Sequence, residues 1–160
     1  MSVFEKIKTK IEAASIEYQT QEHPNEPLAS EKAMGFEPDA SPHHEGAKAI
    51  CVKGKKSKAF TLFVLPDDLR LDQKKVKAIL GERWSFASHD EVIEVTKCIP
   101  GSVPPFGSVL GLRAIVDDTF YKDKDIFFNA GSLTNSVRMS YEDYLKVEQP
   151  EVMSTTEPKE

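Results

Sequence analysis

From Ile99 to Gly107 the chain reads Ile-Pro-Gly-Ser-Val-Pro-Pro-Phe-Gly, three prolines and two glycines in nine residues, a composition no regular element accommodates. Pro100, Pro104 and Pro105 fix φ and remove amide donors, while Gly101 and Gly107 permit positive φ and close backbone approach. The amides of Gly101, Ser102, Val103, Phe106 and Gly107 are left to donate, and a rigid set of amides binds a carboxylate, a phosphate or a developing oxyanion. The competing reading is a loop that only turns the chain between a helix and a strand. Lys48 is a second candidate. It opens an apolar strand just after Gly46, where an ammonium either guards a strand end or faces a cleft, pairing with a phosphate or polarising a carbonyl. The third is the stretch Asn129 to Met139, in which Gly131 ends a strand and Ser132, Thr134, Asn135 and Ser136 follow. It reads either as the lining of a small polar pocket or as an ordinary turn.

Other suggestive residues have simpler roles. His23, His43 and His44 lack the spacings of a structural zinc site, and adjacent histidines in an extended stretch point to opposite faces. No metal is expected. Ser88-His89-Asp90 spells a triad in sequence, but a triad is spatial, and these residues serve better as a helix cap and first turn. Cys51 reads as a small buried hydrophobe; Cys98, beside the proline-rich loop, is either that or a reactive thiol. Asp67-Asp68 after Pro66 reads as a turn.

The elements that would position these groups follow from periodicity and caps. Ser2 and Glu5 form a capping box for a helix over 3–15 whose Phe4, Ile7, Ile11 and Ala14 share a face. A strand over Ile16 to Thr20, a breaker at His23 to Pro27, a short helix over Ser30 to Met34 and a loop over Glu37 to Glu45 come next. Ala47 to Val52 and Ala59 to Leu65 flank Lys53-Gly54-Lys55-Lys56-Ser57-Lys58 as a β-hairpin with a basic tip. Asp72 caps a helix closed by Gly81, a short strand spans Arg83 to Ala87, and Ser88 to Glu91 is a second capping box. Val109 to Val116 and Ile126 to Ala130 are expected as strands joined across an acidic turn, Ser136 to Met139 as a third, and Ser140 as the cap of a helix to Val147. The fold class expected is α+β, a mixed, mostly antiparallel bent sheet or partial barrel with surrounding helices. One domain over 1–148 is followed by an acidic tail over 149–160, expected to be disordered because its apolar content collapses.

With 39% hydrophobic and 29% charged residues the composition is that of a water-soluble globular chain. No apolar run approaches the roughly 18 residues of a spanning helix, and the amino end is too charged for a signal peptide. A cytoplasmic location without membrane contact is expected. The net charge is -5, yet Lys48 to Arg83 holds ten basic residues against four acidic ones. Such asymmetry marks either a polyanion-facing side or two solvated lysine-rich surfaces. DNA is not expected, since there is no helix-turn-helix and no aromatic stacking platform.

Gly46-Ala47-Lys48 entering a strand–hairpin–strand, then Gly101-Ser102-Val103-Pro104-Pro105-Phe106-Gly107, then Asn129-Ala130-Gly131-Ser132 followed by Ser136-Val137-Arg138-Met139, resembles the YbaK/ProRS-associated aminoacyl-tRNA deacylases over residues 3 to 147. The resemblance implies a free-standing trans-editing hydrolase that cleaves the ester of a mischarged tRNA, without metal or cofactor. It makes Lys48 and Gly101 the catalytic residues. Ser102, Val103, Pro104, Pro105, Phe106, Gly107, Gly131 and Ser132 become substrate-binding residues, and the basic tip Lys53, Lys55, Lys56 and Lys58 gains a role in tRNA binding. A ribose hydroxyl would then position the attacking water. Some subfamilies carry Asn where this chain has Ala49, and some a histidine within the segment Ser132 to Asn135. These departures leave the amino acid open among alanine, serine, threonine and cysteine. The alternative function is a non-catalytic aminoacyl, nucleotide or tRNA-binding protein associated with an aminoacyl-tRNA synthetase.

Overall fold

The computed structural model describes residues 2–22 and 46–159. The expected short helix over Ser30 to Met34, the loop over Glu37 to Glu45 and the histidines His23, His43 and His44 lie outside the described residues. In chain order the elements are α1 (Val3–Ala13), β1 (Gln19–Glu22), β2 (Ala47–Gly54), β3 (Phe60–Pro66), β4 (Leu69–Leu71), α2 (Gln73–Leu80), β5 (Trp84–Phe86) and α3 (His89–Thr96). They continue with α4 (Gly107–Leu110), β6 (Arg113–Asp117), β7 (Asp125–Asn129), β8 (Asn135–Ser140), α5 (Tyr141–Glu148), β9 (Glu151–Met153) and β10 (Thr156–Pro158).

The local signals in the sequence are realised by their caps. Ser2 accepts from the Glu5 amide, Asp72 from the amides of Lys74 and Lys75, Ser140 from that of Asp143, and Ser88 and Glu91 exchange both bonds of a capping box. The β2–β3 hairpin pairs Ala47 with Pro66 through Lys53 with Phe60. A five-stranded sheet runs β5-β2-β3-β6-β9, a three-stranded one β1-β8-β7, and β10 pairs with β4. The ladders β3–β6 and β6–β9 are parallel and the remaining ones antiparallel. The fold is therefore α+β with a mixed, mostly antiparallel sheet, and its described strands do not close a barrel.

Alternation along β2, β3 and β6 gives the larger sheet two buried faces. Ala47, Cys51, Leu62, Val64 and Val116 pack with Ile7 and Ile11 of α1, Ile126 and Phe128 of β7, and Tyr141 and Tyr144 of α5. Val52, Phe63, Leu65 and Ile115 pack on the other side with Val76 of α2 and Leu71. Each large side chain so buried contributes about 1.5–3 kcal/mol.

Three expectations are corrected. Val109 does not begin a strand. Phe106 O accepts the amides of Val109 and Leu110 at 3.0 and 3.2 Å, which closes the short helix α4, and Gly111 in the left-handed region turns the chain into β6. Nor do β6 and β7 form a hairpin, because β6, buried through Ile115, Val116 and Asp117, lies between β3 and β9 where both faces are covered. Residues 151–158 carry two strands where a tail without regular structure is expected. These strands, β9 and β10, pair with β6 and β4, and Thr155 and Thr156 are buried against the carboxylate of Asp117. Smaller shifts are β1, which begins at Gln19 where a strand from Ile16 is expected, and α1, which ends at Ala13.

Gly107 shows how tightly α4 seats. A Cβ there would lie 2.5 Å from Leu112 O and 2.6 Å from Ala114 Cβ, so backbone must move to admit it. Gly107→Ala is expected to cost about 1–3 kcal/mol of stability, read as a lower urea midpoint at unchanged slope.

Candidate functional site

A parallel bridge between Gly46 and Phe127 joins the two larger sheets, and beyond it β2 and β7 run in the same direction. Lys48 and Asn129 each stand two residues past that bridge. Ala47, Ala49 and Cys51 on β2, like Ile126 and Phe128 on β7 and Ala130 just after it, belong to the first core, so alternation turns Lys48 and Asn129 to the opposite side of both strands. Counted from that bridge, a lysine and an amide from chain segments some eighty residues apart fall on the same side of the two strands.

The proline-rich loop is tied to this fork. Asn129 Nδ2 donates to Gly101 O at 2.8 Å, and the Gly131 amide donates to Ser102 O at 2.8 Å. Gly131 at φ 82 and Gly101 at φ 94 take conformations that favour glycine, and at Gly131 a Cβ would also meet Val3 Cγ1 at 2.6 Å. Ser102 spends its amide and its hydroxyl on Ile99 O, at 2.9 and 2.7 Å. Tyr144 Oη donates to Pro105 O at 2.5 Å, and the Phe106 ring packs 5.4 Å from that of Tyr144 and 5.6 Å from that of Phe128. Burial raises the Tyr144 phenol well above its ordinary range, so it stays a donor. Ser102, Val103, Pro104, Pro105, Phe106 and Gly107 are all buried while Gly101 is exposed. Most of the loop thus anchors itself in the core and presents its Gly101 end at the fork.

Lys48 is half-buried. Burial lowers its ammonium pKa below the ordinary lysine value, the neighbouring Lys159 lowers it further, and Asp67 and Asp68 oppose both. Lys159 is held there by donating to Asp67 O at 2.7 Å, and the Asp67 amide in turn donates to Gly46 O at 2.8 Å. The C-terminal segment therefore places a second ammonium beside Lys48, which the expectation of disorder could not anticipate.

Ser132 lies in a polar turn that uses its hydroxyl locally: Oγ stands 2.9 Å from Thr134 Oγ1 and accepts the Thr134 amide at 3.1 Å. At the hairpin tip, Lys53 pairs with Glu91 at 2.5 Å and lies over the Phe60 ring, while Lys55, Lys56 and Lys58 are exposed. Glu82 braces the tip by accepting the amides of Lys56 and Ser57 at 2.7 and 2.9 Å. Cys51 and Cys98 are buried, and burial raises both thiols, Cys51 to about 11, so neither is poised as a thiolate. Asn129 opens the third candidate stretch of the sequence, but no individual role is read for it there. Its position just ahead of Ala130-Gly131 was the available signal, but its bond to Gly101 spans 28 residues.

The family model for the aminoacyl-tRNA editing domain matches residues 26–147. The multifunctional Ser/Thr-tRNA deacylase ProXp-y of Escherichia coli strain K12 is 38% identical over 114 residues, covering 69% of this chain and 68% of that protein. Among solved structures, hypothetical protein APE2540 superposes with a TM-score of 0.79 at 20% identity, over 95% of this chain and 99% of the other. A protein proposed to be a trans-editing enzyme for prolyl tRNA synthetase superposes with a TM-score of 0.77 at 21% identity, over 98% of each chain. At those identities the two structures speak for the fold.

Proposed function

This chain belongs to the aminoacyl-tRNA editing domain family, and from that premise we propose that it is a free-standing deacylase whose substrates are tRNAs carrying serine or threonine esters. The observation that carries the reading is the fork itself, where Lys48 and Asn129 each stand two residues past the Gly46–Phe127 bridge and the loop is tied to Asn129 at Gly101. The similarity to the Ser/Thr-tRNA deacylase supports the choice of amino acid. In the reaction, water attacks the carbonyl carbon of the ester, the bond to the terminal ribose oxygen breaks, and that oxygen leaves as a hydroxyl. A ribose hydroxyl orients the water, Gly101 at the loop end faces the charge that develops on the carbonyl oxygen, and Lys48 anchors the terminal phosphate or orients the ester. The reading puts this work in the cytoplasm, where the substrate would be met. Among the described residues no helix is long and apolar enough to cross a membrane.

The test is single-turnover release of amino acid from a panel of correctly and incorrectly charged tRNAs. Cleavage confined to seryl and threonyl esters supports the proposal. Flat time courses with charged tRNA still bound would replace it with a binding protein.

Lys55, Lys56 and Lys58 supply the face for the acceptor stem, with Lys53 committed to Glu91. Changing all three to glutamine is expected to weaken tRNA binding and to flatten its dependence on log salt by up to about one unit per lost phosphate contact. A titration of tRNA binding against KCl measures the slope. An unchanged slope would move the stem to another surface.

A further inference from the structure

Asn129 has one amide atom at work and one idle. Nδ2 holds Gly101 O, which fixes the orientation of the amide, and Oδ1 is buried without a hydrogen-bond partner among the described residues. The residue is 9% exposed. A buried acceptor with no donor is uncommon and costly, so its retention calls for a group that arrives to satisfy it. Such a group must be a donor, and Lys48 stands on the same side as Asn129, two residues past the Gly46–Phe127 bridge. An ammonium seated there would be repelled by that of Lys48, whereas a neutral hydroxyl would not.

We propose that Asn129 Oδ1 accepts a hydrogen bond from a hydroxyl of the bound aminoacyl end, so that Asn129 is a specificity-determining residue as well as the tether of the Gly101 loop. The inference rests on the deacylase reading. Two sources of that hydroxyl exist in the substrate: the side chain of serine or threonine, and the terminal ribose. A side-chain hydroxyl gives the enzyme a means of preferring serine over alanine, because an analogue without it leaves the buried oxygen unpaired.

The experiment compares wild type with Asn129→Ala, and with Asn129→Val should the alanine variant fail to fold. Each is assayed on one tRNA charged with serine or with alanine, and on the seryl ester of the same tRNA ending in 2′-deoxyadenosine. Asn129→Asp, which keeps an acceptor oxygen but loses the donor to Gly101, is the control for the tether. The expected result is a wild-type preference for serine of about 10- to 100-fold that collapses toward one in Asn129→Ala and persists in Asn129→Asp. A retained serine preference with a shrunken 2′-deoxy penalty in Asn129→Ala assigns the bond to the ribose hydroxyl. Equal loss on every substrate, with preference and penalty unchanged, leaves the tether alone and overturns the inference. Should wild type cleave no ester at all, the deacylase reading has failed, and this inference goes with it.

Discussion

Lys48→Ala is expected to slow single-turnover deacylation by about 100-fold or more while leaving stability within about 1 kcal/mol. The rate effect is of the size expected when a group that anchors or orients the ester at the reacting carbon is lost, since a misplacement of about 1 Å costs about 100-fold. The stability effect is small because a half-buried ammonium facing another lysine contributes little to the fold, and its removal deletes a desolvated charge along with some packing. The pH profile gives an independent reading. Burial and Lys159 hold the Lys48 pKa below the ordinary lysine value, so activity that needs the ammonium should fall with rising pH before a free lysine would deprotonate. Lys48→Arg keeps the charge at all accessible pH. It should therefore abolish that alkaline fall even where the planar guanidinium restores only part of the rate. Retention of rate within about threefold in Lys48→Ala would remove the residue from the reaction, and a collapse of thermal stability would make it structural.

How much of this was legible beforehand depended on the range of the interaction. Ser88 with Glu91, Asp72 with Lys74 and Lys75, and the β2–β3 hairpin are settled within a few residues, and the sequence reading of each stands. The parallel partners of β6 were not legible, since an apolar run says that a strand is buried without saying which strands cover it. The C-terminal segment misled for a related reason. Its Ser/Thr/Glu composition resembles a disordered tail, but Thr155 and Thr156 are satisfied by a carboxylate about 38 residues earlier.

At the site, Lys48 was visible from its place before an apolar strand, but only the family resemblance raised it above an edge charge. What the fold adds is a bridge between Gly46 and Phe127, with Lys48 and Asn129 each two residues beyond it. The prolines and glycines of the loop point to rigidity, and the fold ties it to Asn129, Gly131 and Tyr144. Its amides were expected as a broad donor array, whereas the Ser102 amide closes on Ile99 and the side chains of Val103 and Phe106 go to the core. Restricted φ is written in the prolines; which end of the loop stays exposed is decided by tertiary bonds to Asn129 and Gly131.

Asp117→Ala is expected to cost about 3–5 kcal/mol, the largest loss of stability from any single side chain discussed. Asp117 is fully buried at the end of β6. Its Oδ1 accepts the Thr155 amide at 2.8 Å and the Thr155 hydroxyl at 2.7 Å, and its Oδ2 accepts Thr156 Oγ1 at 3.0 Å, the Thr119 amide at 3.3 Å and the Thr119 hydroxyl. Hydrogen bonds to a carboxylate are the strong ones, and although hydroxyls can rotate toward other acceptors, the buried Thr155 amide cannot. For a chain of this size the loss corresponds to a melting temperature lower by roughly 10 °C or more. Asp117→Asn keeps the volume but turns an NH2 group toward donors, so it should fall between alanine and wild type. The consequence reaches the site through the chain. With residues 151–158 no longer clamped to β6 and β4, Lys159 loses its seat on Asp67 O, and the alkaline limb of activity should move upward toward the ordinary lysine range. Urea unfolding, together with a pH profile taken well below the melting temperature, separates the two effects. A variant that melts within about 2 °C of wild type would mean that the C-terminal strands are held by their ladders and not by Asp117.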